Sequence, residues 1–176
     1  MKLIRRSSTT LDIGKGRTIS GYINLFEPML TNDSHYEVFA KDAFKNADMS
    51  NTILALNHDT QAATASTSND TLKISCKDKG LYFTANIIEG ADGDRVLSQV
   101  KGGVSDQVSL GAYVDEDRII TRAYKGKRLL TFTRVLSVRD VAPTYNGAWK
   151  EATIVRNRTF GTKKRSLLML RLLCIK

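Results

Sequence analysis

With 176 residues, 41% hydrophobic and 26% charged, the chain has the size and composition of one soluble globular domain with a single core. No run reaches the roughly 20 apolar residues of a membrane-spanning helix, and the basic residues of MKLIRRSSTTLD have no apolar segment behind them, so they do not read as a secretory signal. The net charge of +9 suggests nucleic acid until it is located: residues 156–176 hold seven basic and no acidic side chains, leaving 20 basic against 18 acidic, a net of +2, in the rest.

A folded nucleic-acid-binding domain carries its basic patch on the body. Here the body is nearly neutral, so no specific nucleic acid and no membrane is expected as a partner. Cys76 and Cys174 lie far apart, form no CxxC pair and, with two histidines, are too few for a structural zinc site. No metal, no cofactor and no disulfide framework is expected, which fits a reducing, intracellular setting.

In chain order, GRTISGYINLF (16–26) alternates and is rich in β-branched and aromatic residues, as a half-buried strand does. EPMLTNDSHY reads as turn and loop. EVFAKDAFKNAD (37–48) spaces Val38, Phe39, Ala43, Phe44 and Ala47 like one or two helical turns. NTILALN reads as a buried strand and TQAATASTSND (60–70) as a loop. TLKISCK and GLYFTANI predict a hairpin around Asp78-Lys79-Gly80.

GADGDRVLSQVKGG (90–103) predicts a short helix with Asp92 or Asp94 as N-cap, a Val96, Leu97, Val100 stripe and a Gly102-Gly103 stop. QVSLGAYV (107–114) is a strand interrupted by Gly111. Residues 118–138 read as two strands around Lys125-Gly126-Lys127; RDVAPTYNGAW turns on Pro143, and KEATIV is a last short strand. Seven or eight strands and two short helices, with no βαβ rhythm, predict a mainly β, α+β fold. A closed or nearly closed barrel of about seven strands, with helices outside, is the economical form because closure removes sheet edges.

Three positions carry candidate chemistry. His58 ends the apolar run ILAL, a rigid support for a general base; alternatively Asn57-His58-Asp59 only marks a strand end, since Asn and Asp favour turns. His35, in TNDSHYEV, has a surface-loop setting. Ser109 stands among apolar residues with Gly111 two positions on. A glycine inside a strand marks a bulge or the close approach of another backbone, such as a substrate strand; the other reading is a serine on a polar strand face. Asp140, in SVRDVAP, is either an acid that orients an imidazole, an ion-pair partner of Arg139 or Arg134, or a cap before Pro143. DIGKGRT lacks the strand, glycine loop and helix context of a phosphate site.

Read in order, these segments resemble the prohead (procapsid) maturation proteases of tailed bacteriophages over residues 16–155. GYINLFEP is similar to that family's opening strand. EVFAKDAF resembles its E-x-F-x-x-G-A-F block, with Asp42 where Gly is usual. ILALNHD resembles V-x-L-L-x-N-H-D, the most specific match, and KGLYFTANI its "GL" hairpin. VSLGAYV resembles S-(I/F/V)-G-(F/A). RVLSVRDVAPTYNGAWKEATI resembles the closing L-x-(D/E)-V-S-x-V-x-x-P-A-Y block, with Ala142 where Ser is common and the proline spacing shifted.

The resemblance implies a serine endopeptidase with the β-barrel fold of the herpesvirus assemblins. Ser109 would be the nucleophile, His58 the general base and Asp140 the orienting acid. Asp59, a nearby Glu or His35 are substitutes for the third role, since assemblins use a second histidine. Implied substrates are the scaffold protein and the major capsid protein, with self-cleavage and self-association, inside the procapsid in the bacterial host cytoplasm. The competing reading is an inactive capsid-assembly protein of the same fold. The domain is expected over residues 1–155. Residues 156–176 form a basic, then apolar, tail that is either poorly ordered, docked or removable.

Overall fold

The computed structural model describes residues 14, 16–31 and 34–144, and the backbone alone of 12–13, 154–156 and 167–172. In chain order the strands are β1 (Asp12–Ile13), β2 (Thr18–Asn24), β3 (Met29–Thr31), β4 (His35–Phe39), β5 (Ile53–Ala55), β6 (Ala63–Ser66), β7 (Leu72–Lys77) and β8 (Gly80–Asn86). Helix α1 (Ala91–Lys101) follows. Then come β9 (Gln107–Asp115), β10 (Ile119–Tyr124), β11 (Lys127–Phe132), β12 (Val135–Thr144), β13 (Ile154–Arg156) and β14 (Leu167–Leu172).

They form three ladders, ordered β1-β2-β8-β7, β10-β11-β4-β3 and β13-β14-β9-β12-β5-β6. The mainly β class stands. Among the described residues no ladder closes on itself, so the expected closed barrel is not found, and the strands outnumber the seven or eight expected.

The alternation in β2 buries Ile19 and Ile23 and that in β8 buries Leu81, Phe83 and Ala85. They meet Leu54, Leu110, Val141 and the α1 residues Val96, Leu97 and Val100 in one core. The hairpin of β7 and β8 forms as expected, with Lys77 opposite Gly80. Helix α1 also forms, but Gly90 is its N-cap and Asp92 and Asp94 lie in its first turn, where carboxylates suit the helix dipole. Asp94 pairs with Arg17 at 2.8 Å, and the same guanidinium donates to the carbonyls of Ile87 and Ile88, fixing the helix entry to β2.

Four expectations change. The helical spacing in 37–48 is instead β4 ending at Phe39, followed by turns that fold Phe44 back against Phe39 at 5.1 Å between ring centroids. The loops at 27–36 and 60–70 contain β3 and β6, and His35 opens β4 rather than lying in a loop. In 118–138 the two strands around Lys125-Gly126-Lys127 form as β10 and β11, but the second ends at Phe132 and Val135 opens β12, which enters a different ladder. Finally, β12 runs through Pro143, opposite Val108, instead of turning there. Its described pairing with β5 covers only Asp140 and Val141. Beyond Val141 one side of β12 is therefore unpaired among the described residues, a place where a missing N–H is tolerated.

Residues 145–149 of the segment RDVAPTYNGAW, residues 157–165 of the basic segment 156–165, and Cys174 lie outside the described residues. The backbone of 154–156, at the end of the expected last strand, is β13, and that of 167–172 is β14.

Candidate active site

Three neighbouring strands assemble the site. β12 lies between β9, antiparallel to it, and β5, parallel to it. Asp140 is opposite Ile53 on one side and Gly111 on the other, and Ala142 is opposite Ser109. Adjacent strands are about 4.8 Å apart, so residues near one level of three strands can touch. Thr52 Oγ1 donates to the Val138 carbonyl at 2.8 Å and fixes β5 against β12.

The chain leaves β5 through a tight 3₁₀ turn, Leu56–His58. Asn57 (φ 53°) and His58 (φ 64°) are both left-handed. Asn tolerates this region through its short polar side chain; His58 holds it at a cost of about 1–3 kcal/mol, sustained by the groups around it. The turn points the imidazole back over β12. Asp59 does not reach the site: it caps the next turn, accepting from the Gln61 N–H at 3.3 Å. Arg139 Nη2 donates to Thr60 Oγ1 at 3.1 Å, tying that turn to the residue beside Asp140.

A test of this backbone uses the exposed Asn57. Asn57→Val should destabilise the fold by about 1–2 kcal/mol because a β-branched residue resists positive φ, while Asn57→Gly should hold or raise stability. Urea denaturation of both variants checks the ordering.

Both ring nitrogens of His58 are engaged. Nε2 meets Ser109 Oγ at 2.9 Å, and Nδ1 bonds to Asp140 Oδ2 in a short contact. Ser109 and Asp140 are fully buried and His58 is 7% exposed. The three candidates thus come together as one hydrogen-bonded row. Asp140 is neither a turn cap nor paired with Arg134, which reaches Asp115 at 3.5 Å. Ser109 is not on a polar strand face, since residues 107–112 are buried throughout. The close approach at Gly111 is made by the Asp140 side chain, not by another backbone.

His35 forms a separate group. Its Nδ1 meets Ser34 Oγ at 2.7 Å and its Nε2 meets Glu37 Oε1 at 2.9 Å. Glu37 carries one signal in the sequence, an acid two positions along a strand from His35. Burial raises the Glu37 carboxyl above its ordinary value of 4.5, partly offset by the bond to His35. A raised folded value means that the fold favours the protonated acid. Its contribution to stability is therefore full below the ordinary value and lost as pH rises through the folded one. Glu37→Gln should flatten the stability curve over that window, read by urea denaturation across pH; curves that stay parallel would contradict it.

Among the described residues no group of three His, Cys, Asp or Glu side chains is placed to hold a metal ion, and no helix is long and apolar enough to cross a membrane. A surface cavity of about 390 Å³ opens beside Asp42, Lys45, Arg118 and Arg134, and none of the three row residues lines it.

Comparison with curated proteins and with solved structures gives no match. The family model described as caudovirus prohead serine protease matches residues 2–166 of the 176. Its span covers the whole Ser109, His58 and Asp140 row. By that match the chain belongs to the caudovirus prohead serine proteases, a family of capsid-maturation peptidases.

Proposed function

We propose that the chain is a serine endopeptidase in which Ser109 is the nucleophile, His58 the general base and Asp140 the orienting acid. Its substrates are the scaffold and major capsid proteins, and itself, within the procapsid in the host cytoplasm. The observation that carries this reading is the double engagement of His58, by Ser109 on one nitrogen and Asp140 on the other.

A serine hydroxyl is a weak nucleophile at neutral pH and needs a base as it attacks. The separation of 2.9 Å between Nε2 and Oγ lies within the range for such a transfer. Asp140 selects the tautomer with a proton on Nδ1, leaving Nε2 free to accept, and stabilises the imidazolium as it forms. Attack of Oγ on the scissile carbonyl gives a tetrahedral oxyanion. His58 then returns the proton to the leaving amine, and water hydrolyses the acyl-enzyme with the same base.

Substrate recognition by strand addition draws support from the outer side of β9. There β14 lies antiparallel, with Leu172 opposite Leu110 and Leu167 opposite Asp115. An extended segment of this chain thus runs along the nucleophile strand, as a substrate added to the sheet would. While β14 is in place, residues 110–115 are paired on that side. Its departure frees a row of backbone N–H groups for the substrate and for an oxyanion. The same placement supports processing of the chain's own C-terminal segment.

The test is co-expression with the neighbouring capsid and scaffold proteins, followed by intact-mass analysis. The reading expects defined new termini with the wild-type chain and none with Ser109→Ala. Shells that assemble without processing by the wild type would favour the inactive assembly protein.

A further inference from the structure

The proposed mechanism leaves one feature of the nucleophile strand unused: its glycine. Gly111 is opposite Asp140 in the β9 and β12 ladder, and the register shifts between Val138 and Asp140, so that β12 carries the irregularity. Gly111 has no positive φ. Backbone conformation therefore does not require glycine here. Space does. A Cβ at 111 would overlap Asp140 Oδ1, lie 2.9 Å from Cγ and 3.4 Å from Oδ2. Distances under 3.0 Å are not tolerated by real Cβ atoms, so one side would have to move.

The atoms met belong to the Asp140 side chain, so an added Cβ would displace the carboxylate from its place at His58. Asp140 is fully buried, its Oδ2 is held by His58, and its Oδ1 has no hydrogen-bond partner among the described residues. That oxygen lies over the Gly111 Cα, in the volume that any other residue would fill. An unpartnered carboxylate oxygen is costly, and it persists here because the other oxygen is committed to the imidazole. Ser109 and Gly111 are two apart on one strand and so share a face. The serine and the space for its orienting acid are therefore set by one strand register.

We propose that Gly111 is a positioning residue: its missing side chain is the slot that holds Asp140 at His58. This rests on the roles given above to Ser109, His58 and Asp140, and the experiment separates the two. Reactivity is read as the rate of Ser109 modification by a fluorophosphonate, followed by intact mass. The His58–Asp140 bond is read directly as the downfield Nδ1–H proton of His58 in protein labelled with ¹⁵N-histidine. His35, bonded to Ser34 and Glu37, is the internal control.

Gly111→Ala should slow maximal labelling on the order of 100-fold or more, the scale of about 1 Å of misplacement, with the half-saturating probe concentration unchanged. It should also abolish the His58 proton signal and leave that of His35. In an Asp140→Ala background, Gly111→Ala should cost nothing further, because the group it displaces is gone. If Gly111→Ala fails to fold, the double variant should fold.

A His58 signal that persists in Gly111→Ala, losses that add in full, or a double variant that also fails to fold would each overturn the proposal. Absence of labelling in the wild type would count against the protease assignment instead, and the proton signal would still decide the role of Gly111.

Discussion

Ser109→Ala and His58→Ala should each lower the rate of capsid-protein processing by about 10⁶-fold, and the double variant should lose no more than either alone. Groups that act as a unit behave this way, because removing one leaves the other without a function. The two variants should differ in stability. Ser109→Ala removes one hydroxyl from a buried site and leaves Asp140 bonded to His58. His58→Ala leaves the Asp140 carboxylate buried with neither oxygen satisfied, since Oδ1 already lacks a partner. That should cost about 1–3 kcal/mol or more. Circular dichroism and urea denaturation, run beside the processing assay, separate lost chemistry from lost fold.

Asp140→Asn should reduce the rate by about 10⁴-fold with little change in the backbone, because an amide facing Nδ1 favours the wrong tautomer. Asp59→Asn and His35→Gln are the controls. The Asp59 carboxylate is committed to the Gln61 N–H, and His35 to Ser34 and Glu37. Both variants should keep the processing rate within a few-fold of wild type. A larger loss from either than from Asp140→Asn would transfer the orienting role away from Asp140.

The sequence named the three residues of the hydrogen-bonded row, but not their adjacency. Asn57-His58-Asp59, Ser109-Leu110-Gly111 and Arg139-Asp140 were each ambiguous alone. What joins them is strand adjacency, with β12 between β5 and β9, and no local pattern encodes it. The function of Gly111 was hidden for the same reason: its neighbour is a side chain on another strand, visible only once the register is known. Asn57, by contrast, carries its signal locally, as a residue that tolerates the left-handed turn into His58.

The misread segments share a cause. β6 has the sequence ATAS, with no large apolar residue to alternate, and it is a strand because β5 supplies a partner. In 37–48 the spacing of Val38, Phe39, Ala43 and Phe44 fits a helix. Successive turns after β4 instead bring Phe44 onto Phe39, whose ring also packs on Phe132 at 5.1 Å. The barrel expectation treated closure as the means of removing edges. In the structure β13 and β14 extend the large ladder past β9, so that β9 is internal.

The most direct test of Ser109 as a nucleophile activated by His58 is to treat the purified chain with a fluorophosphonate and map the modified residue by peptide mass spectrometry. The account predicts a single adduct on Ser109, lost in His58→Ala. An adduct on another serine would contradict it, above all on Ser34, whose hydroxyl also touches an imidazole.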